Sequence, residues 1–162
     1  MKERGILMTT ENYGKCEAGT KTQTRRIKFA PKPWDIIIEA CPYGTVGDRL
    51  YVKEGLRRDA DGIMYRRDGR PIVNSVMGGR HGWRWKKDTL SPLFMPKFAA
   101  RLWLELTGVR SEFLGSITEE DAQAEGVKSV SEFIELWKSI NKTWEPELCV
   151  WVLSFRKVEA LA

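Results

Sequence analysis

The chain has 162 residues, 42% of them hydrophobic, with seven tryptophans, a formal charge of +5 and a pI near 9.2. That length fits one domain with a real core, and the apolar and aromatic content excludes a disordered chain. Three cysteines without C-x-x-C spacing and a single histidine exclude a disulfide framework, a zinc knuckle, a histidine-based triad and a multi-histidine metal site.

The first residues, MKERGILMTTENYG, hold no signal-peptide core, and no apolar run in the chain approaches membrane-spanning length. The expectation is a cytoplasmic protein with no membrane partner, and the odd cysteine count fits a reducing compartment. The excess of basic residues favours a polyanion as partner. Residues 9–18 are expected to form a short helix that Gly19 ends in the left-handed conformation.

Next comes AGTKTQTRR, residues 18–26, in which nothing reads as core. Lys21 and Thr24 stand three apart, a spacing that brings both side chains to one face on a turn or a first helical coil. A lysine whose pKa is lowered by burial, or by cations such as Arg25 and Arg26, can take the proton of a threonine hydroxyl. With no histidine pair available, a general base has to come from Lys, Glu, Asp or Tyr.

The stretch KPWDIIIEACPYGTVGDRLYVKE reads as apolar strand material, a Pro-Tyr-Gly turn and a second strand with Leu50 and Val52 on one face and Tyr51 and Lys53 on the other. A hairpin follows, with turns at Asp61-Gly62 and Asp68-Gly69, and residues 75–100 read as a long connection. His81 reads as a loop residue. Within that connection, Trp83 and Trp85 interleave with Arg84, Lys86 and Lys87. Such a pattern suits single-stranded nucleic acid, through stacking and phosphate attraction. It suits equally a strand with a buried tryptophan face and a wet basic face.

RLWLELTGV is expected as a strand with Leu102, Leu104 and Leu106 on one face and Trp103, Glu105 and Thr107 on the other. ELCVWVLSFRKV is almost wholly β-branched and aromatic, which marks a central strand. Between these lie two helices. One opens with a capping box, Thr118 to Asp121, and closes at Gly126. The other is expected to start from a Ser131 cap and to present Phe133, Leu136, Trp137 and Ile140 to the core. Glu125 breaks a local rule, because it sits in the last helical turn, where the helix dipole disfavours an anion. The pattern as a whole predicts a small mixed β-barrel with helices packed over it.

GTKTQTRR, CPYGTVGDRLYVKE, ITEEDAQAEGV, LWKSIN and VWVLSF together resemble the ASCH family, and more closely its members in bacteriophages and prophages. The resemblance touches nearly the whole chain. It implies an α+β, PUA-like fold over residues 1–162, with an insertion around 55–95, and kinship with modules that bind RNA or modified nucleosides. It further extends to small bacterial N(4)-acetylcytidine amidohydrolases, whose catalytic Lys, Thr and Glu positions fall on Lys21, Thr24 and Glu125. A bacterial host cell is then the expected setting. No cofactor or metal is needed for that chemistry.

Three functions remain open on these grounds. The first is an amidohydrolase using Lys21, Thr24 and Glu125. The second is a non-catalytic module that grips RNA, single-stranded DNA or a modified nucleoside, with Arg25, Arg26, Arg84, Lys86 and Lys87 as the phosphate-binding cations. The third is a ribonuclease in which Lys and Glu activate a 2′-hydroxyl.

Overall fold

The two long apolar runs of the second half of the chain pair with each other. The computed structural model describes residues 1–28, 40–72 and 83–161. In chain order these form β1 (Glu3–Leu7), α1 (Thr10–Ala18), β2 (Gln23–Ile27), β3 (Arg49–Lys53), β4 (Leu56–Asp59), β5 (Gly62–Tyr65), β6 (Thr89–Leu90), β7 (Trp103–Phe113), α2 (Glu119–Ala124), α3 (Val130–Asn141) and β8 (Cys149–Val158). His81 and the expected strand material at 32–39 lie outside the described residues.

The main sheet has the order β1-β3-β7-β8-β2, with β1 parallel to β3 and the other pairs antiparallel. β8 lies inside the sheet, and from Val150 to Phe155 it is covered on both faces, which is why that stretch shows no polar alternation. Trp151, Leu153 and Phe155 pack with Leu50, Val52, Leu104 and Leu106 in one cluster, while Val150 and Val152 pack with Leu114, Ala122, Phe133 and Trp137 in another. β3 alternates as expected, with Leu50 and Val52 buried and their neighbours half-buried. β7 runs past the expected end at Val109 to Phe113, with a bulge between Leu106 and Gly108 that lets one long strand bend along β8. Its second face is not all wet, because Trp103 is buried against Tyr51, with ring centroids 5.7 Å apart.

The sheet curls until its two edge strands approach each other. Arg26 of β2 donates from Nη2 to the Leu7 carbonyl at the end of β1, at 2.8 Å. A second sheet, β5-β4-β6, buries Leu56, Tyr65 and Leu90 with Met95 and Ala99. In its β4–β5 hairpin the two loop residues are Ala60 and Asp61, since Asp59 pairs with Gly62, so the turn sits one residue earlier than expected.

α1 ends as predicted, with Gly19 left-handed at φ 78°. α2 has the full capping box between Thr118 and Asp121. The start of α3 corrects the expected Ser131 cap. Ser129 Oγ accepts from the Glu132 N–H at 3.2 Å, and Glu132 in turn accepts from the Lys128 N–H at 2.6 Å. The cap therefore lies two residues earlier, where Ser129 and Glu132 have the S-x-x-E spacing that Ser131 lacks.

Candidate functional site

The segment that seemed least like core is buried. Lys21, Thr24, Arg25 and Glu125 are each exposed by only 2–3% of their surface. In place of the expected turn or helical coil, residues 23–27 form edge strand β2, paired to β8 with Thr24 opposite Leu153 and Arg25 opposite Val152. Burying these charges is tolerable only because each finds partners.

Lys21 lies just before β2, and Glu125 caps the C-terminus of α2. The Lys21 Nζ donates to Glu125 Oε2 at 2.5 Å and to the Glu125 carbonyl at 2.9 Å. A backbone bond, Thr22 N–H to the Ala124 carbonyl at 2.8 Å, holds the two segments together. Gly126 then turns the chain at φ 85°, and a Cβ there would lie 3.0 Å from Lys15 Cδ and 3.3 Å from Lys21 Cβ. Burial lowers the pKa of Lys21, while the Glu125 carboxylate works in the opposite direction. The anion that the helix dipole disfavours is thus the partner of a desolvated lysine.

Arg25 is the hub behind this pair. Its Nη1 donates to Gln23 Oε1 at 2.7 Å and Glu125 Oε1 at 3.1 Å, and its Nη2 donates to Glu112 Oε1 at 2.6 Å and Asp121 Oδ2 at 3.0 Å. Arg110 reaches both Glu112 and Asp121 from outside, at 3.1 and 3.0 Å. The guanidinium of Arg25 also lies 5.7 Å from the Phe133 ring centroid, which ties α3 to β2. Arg26 is placed differently, with Nη1 donating to Thr24 Oγ1 at 2.6 Å. Burial pushes the Arg26 pKa down.

These groups open onto a cavity of about 430 Å³ lined by Lys21, Thr24, Arg25, Arg26 and Glu125. Its opposite wall is the face of α3 formed by Phe133, Leu136, Trp137 and Ile140. That face was expected to be core, and the correction is partial. Phe133 and Trp137 are buried while Ile140 is exposed, so the stripe divides between core and cavity wall. Asn12 of α1 also lines the cavity, with its Oδ1 buried and unpartnered among the described residues.

Arg84, Lys86 and Lys87 are exposed and do not line this cavity. The tryptophans between them form an edge-to-face pair, with centroids 5.1 Å apart, packed on the smaller core without strand geometry. The sequence reading did not single out Asn12, Glu112 or Asp121. Only Asp121 carried a signal, its place in a capping box, and that signal concerned the helix.

A curled mixed sheet with helices packed over its open side defines an α+β protein of PUA-like architecture. A crystal structure of an ASCH domain from Lactobacillus crispatus JV V101 matches it with TM-score 0.55 at 12% identity, over 98% of this chain and 81% of that one. A crystal structure of an Enterococcus faecalis V583 protein assigned to DUF984 matches with TM-score 0.50 at 14% identity, over 98% and 81%. No protein-family model matches the sequence, and no curated protein matches it. The fold is that of an ASCH domain, as the sequence motifs implied. No helix among the described residues is long and apolar enough to cross a membrane.

Proposed function

We propose that the protein recognises a nucleoside and hydrolyses an acyl group from the exocyclic nitrogen of its base, an N-acylated cytidine being the substrate class. The observation that carries this reading is convergence. Lys21 and Glu125, 104 residues apart in sequence, are hydrogen-bonded at the wall of a cavity that Thr24 also lines.

In this mechanism neutral Lys21 removes the Thr24 hydroxyl proton, and the Thr24 oxygen attacks the acyl carbon. The negative charge on the former carbonyl oxygen is stabilised by the Arg26 guanidinium, already held at Thr24. As the intermediate collapses, Lys21 returns its proton to the departing base nitrogen and the acyl group stays on Thr24. Water, deprotonated by Lys21, then attacks that ester, and as the acid departs Lys21 returns the proton to the Thr24 oxygen, restoring the hydroxyl and the neutral amine. Glu125 holds Lys21 in place throughout. The apolar face of α3 supplies a wall of Phe133, Leu136 and Trp137 for the base.

A second reading, a module that binds RNA or single-stranded DNA without turnover, is favoured by a different observation. The Thr24 hydroxyl is engaged by Arg26, and Lys21 is engaged by Glu125. Release of cytidine from N(4)-acetylcytidine by purified protein separates the two. Wild type is expected to turn over, with Lys21→Arg and Thr24→Ala inactive. Equal rates in all three, or no release by wild type, would sink the catalytic reading.

A further inference from the structure

A second cavity, of about 360 Å³, adjoins the first, and Met8 and Pro92 line both. Its other walls come from Tyr13 of α1, the end of β3, and the loop that follows β5, with Lys53, Arg66 and Arg67 as its cations.

Glu54 is the one carboxylate lining it among the described residues, exposed by only 5%, and it is already neutralised. It accepts from Arg101 Nε and Nη2 at 2.7 Å each, and from Arg67 Nε at 3.3 Å. The same bonds aim Arg67, whose guanidinium lies 4.4 Å from the Tyr13 ring centroid and reaches Glu17 at 3.2 Å. Lys53 Nζ donates to the Leu93 carbonyl at 2.7 Å, a bond that anchors the ammonium without cancelling its charge. Arg66 is exposed and pairs with no carboxylate among the described residues. Its Cδ lies 3.1 Å from where Gly55 would carry a Cβ, so the missing side chain at Gly55 lets the arginine stem lie along the cavity. The result is a concave surface with two anchored cations, Lys53 and Arg67, an exposed third, Arg66, and a buried, compensated acid. That arrangement suits an anion with several acceptor oxygens.

We propose that this second cavity is a phosphate subsite. It rests on the nucleoside reading of the first cavity: the base enters beside Lys21 and Thr24, and a phosphate of the same ligand lies against Arg66 and Lys53, with Arg67 behind. The substrate is then a phosphate-bearing nucleotide rather than a free nucleoside. The phosphate comes either from a mononucleotide or from the backbone of a strand.

The test is calorimetric titration of wild type and Arg66→Ala with N(4)-acetylcytidine, its 5′- and 3′-monophosphates, a single-stranded trinucleotide carrying it centrally, and inorganic pyrophosphate. At least one phosphate-bearing nucleotide should bind wild type roughly tenfold or more tighter than the nucleoside, as expected for one charged hydrogen bond or more. Arg66→Ala should erase that gain and leave nucleoside affinity unchanged, while Arg66→Lys retains part of it. A gain with a monophosphate identifies the mononucleotide, and a gain with the trinucleotide alone identifies the strand. Equal affinity for nucleoside and all nucleotides, or a gain that survives Arg66→Ala, would overturn the proposal. If no nucleoside or nucleotide binds, the reading of the first cavity fails by itself, and pyrophosphate decides the subsite. Binding lost in Arg66→Ala supports it, and no binding to wild type overturns it. An unchanged melting temperature of Arg66→Ala controls for folding.

Discussion

Lys21 and Glu125 are joined twice, because one glutamate offers both its carboxylate, at 2.5 Å, and its backbone carbonyl, at 2.9 Å, to the same ammonium. The carboxylate also accepts from Arg25, so it is the shared counter-charge of two buried cations.

This sharing predicts an asymmetry in stability. Glu125→Ala leaves the buried Lys21 ammonium with only a backbone carbonyl, while Arg25 keeps Glu112 and Asp121, and should cost about 3–5 kcal/mol, the usual penalty for breaking a buried pair. Lys21→Met leaves Glu125 paired with Arg25 and should cost less, about 1–3 kcal/mol. Urea unfolding of the two variants measures the difference. A larger loss for Lys21→Met would mean that Arg25 does not compensate Glu125.

Turnover should rise with pH. Burial lowers the Lys21 pKa from 10.5, and the proposed base is its neutral form, so activity should increase as pH rises through that lowered value and then level off. Lys21→Arg should remove this limb, since a guanidinium keeps its proton. Thr24→Ala and Lys21→Arg should each reduce kcat by about three orders of magnitude or more, and the double variant should lose little further. Additive losses would show that the residues do not act as a unit.

Acid should weaken the fold partly through Asp121. Burial acts to raise its pKa, but the Thr118 N–H, Gln23 and the charges of Arg25 and Arg110 outweigh burial and hold it below the ordinary 3.8. A depressed folded-state pKa contributes stability that is present above the unfolded value and is lost as pH falls through the folded one. Wild type should therefore lose stability below about pH 4, and Asp121→Asn should lose less over that window although it starts less stable. Melting temperatures measured from pH 2 to 7 check this, and parallel curves would contradict it.

The α3 cap is separable by two single changes. Ser129→Ala should cost about 1 kcal/mol, because it removes the acceptor for the Glu132 N–H. Ser131→Ala, inside the helix, should stay within about 0.5 kcal/mol of wild type. The reverse order in denaturant midpoints would restore the later cap.

What the sequence made legible was local. The Thr118–Asp121 box, the left-handed glycines at 19 and 126 and the alternation of Leu50 and Val52 each depend on residues a few positions apart, and each is present in the fold. β2 was not legible, because Gln23, Thr24 and Arg25 belong to no apolar pattern. Their burial is made possible by Glu112, Asp121 and Glu125, which lie 87, 96 and 100 positions from Arg25. The stripe on α3 shows a different limit. Helical periodicity identifies the face that turns inward, yet the same pattern serves a solid core and the wall of a hollow. Glu125 was marked only by the rule it breaks, and its partner could not be read from the helix that carries it.

Gly126 sets a dimension of the site by contributing nothing to it. Because its φ is 85° and a Cβ would come within 3.3 Å of Lys21 Cβ and 3.0 Å of Lys15 Cδ, the gap it leaves is the space in which the base of the lysine side chain packs. In a saturation mutagenesis scan this position should behave like a reacting group, intolerant of nearly every replacement, although it offers no side-chain chemistry. Descent from a common ancestor would then preserve it as strictly as the charges it separates, and an engineer moving this lysine–glutamate pair to another scaffold would have to transplant the void along with the residues.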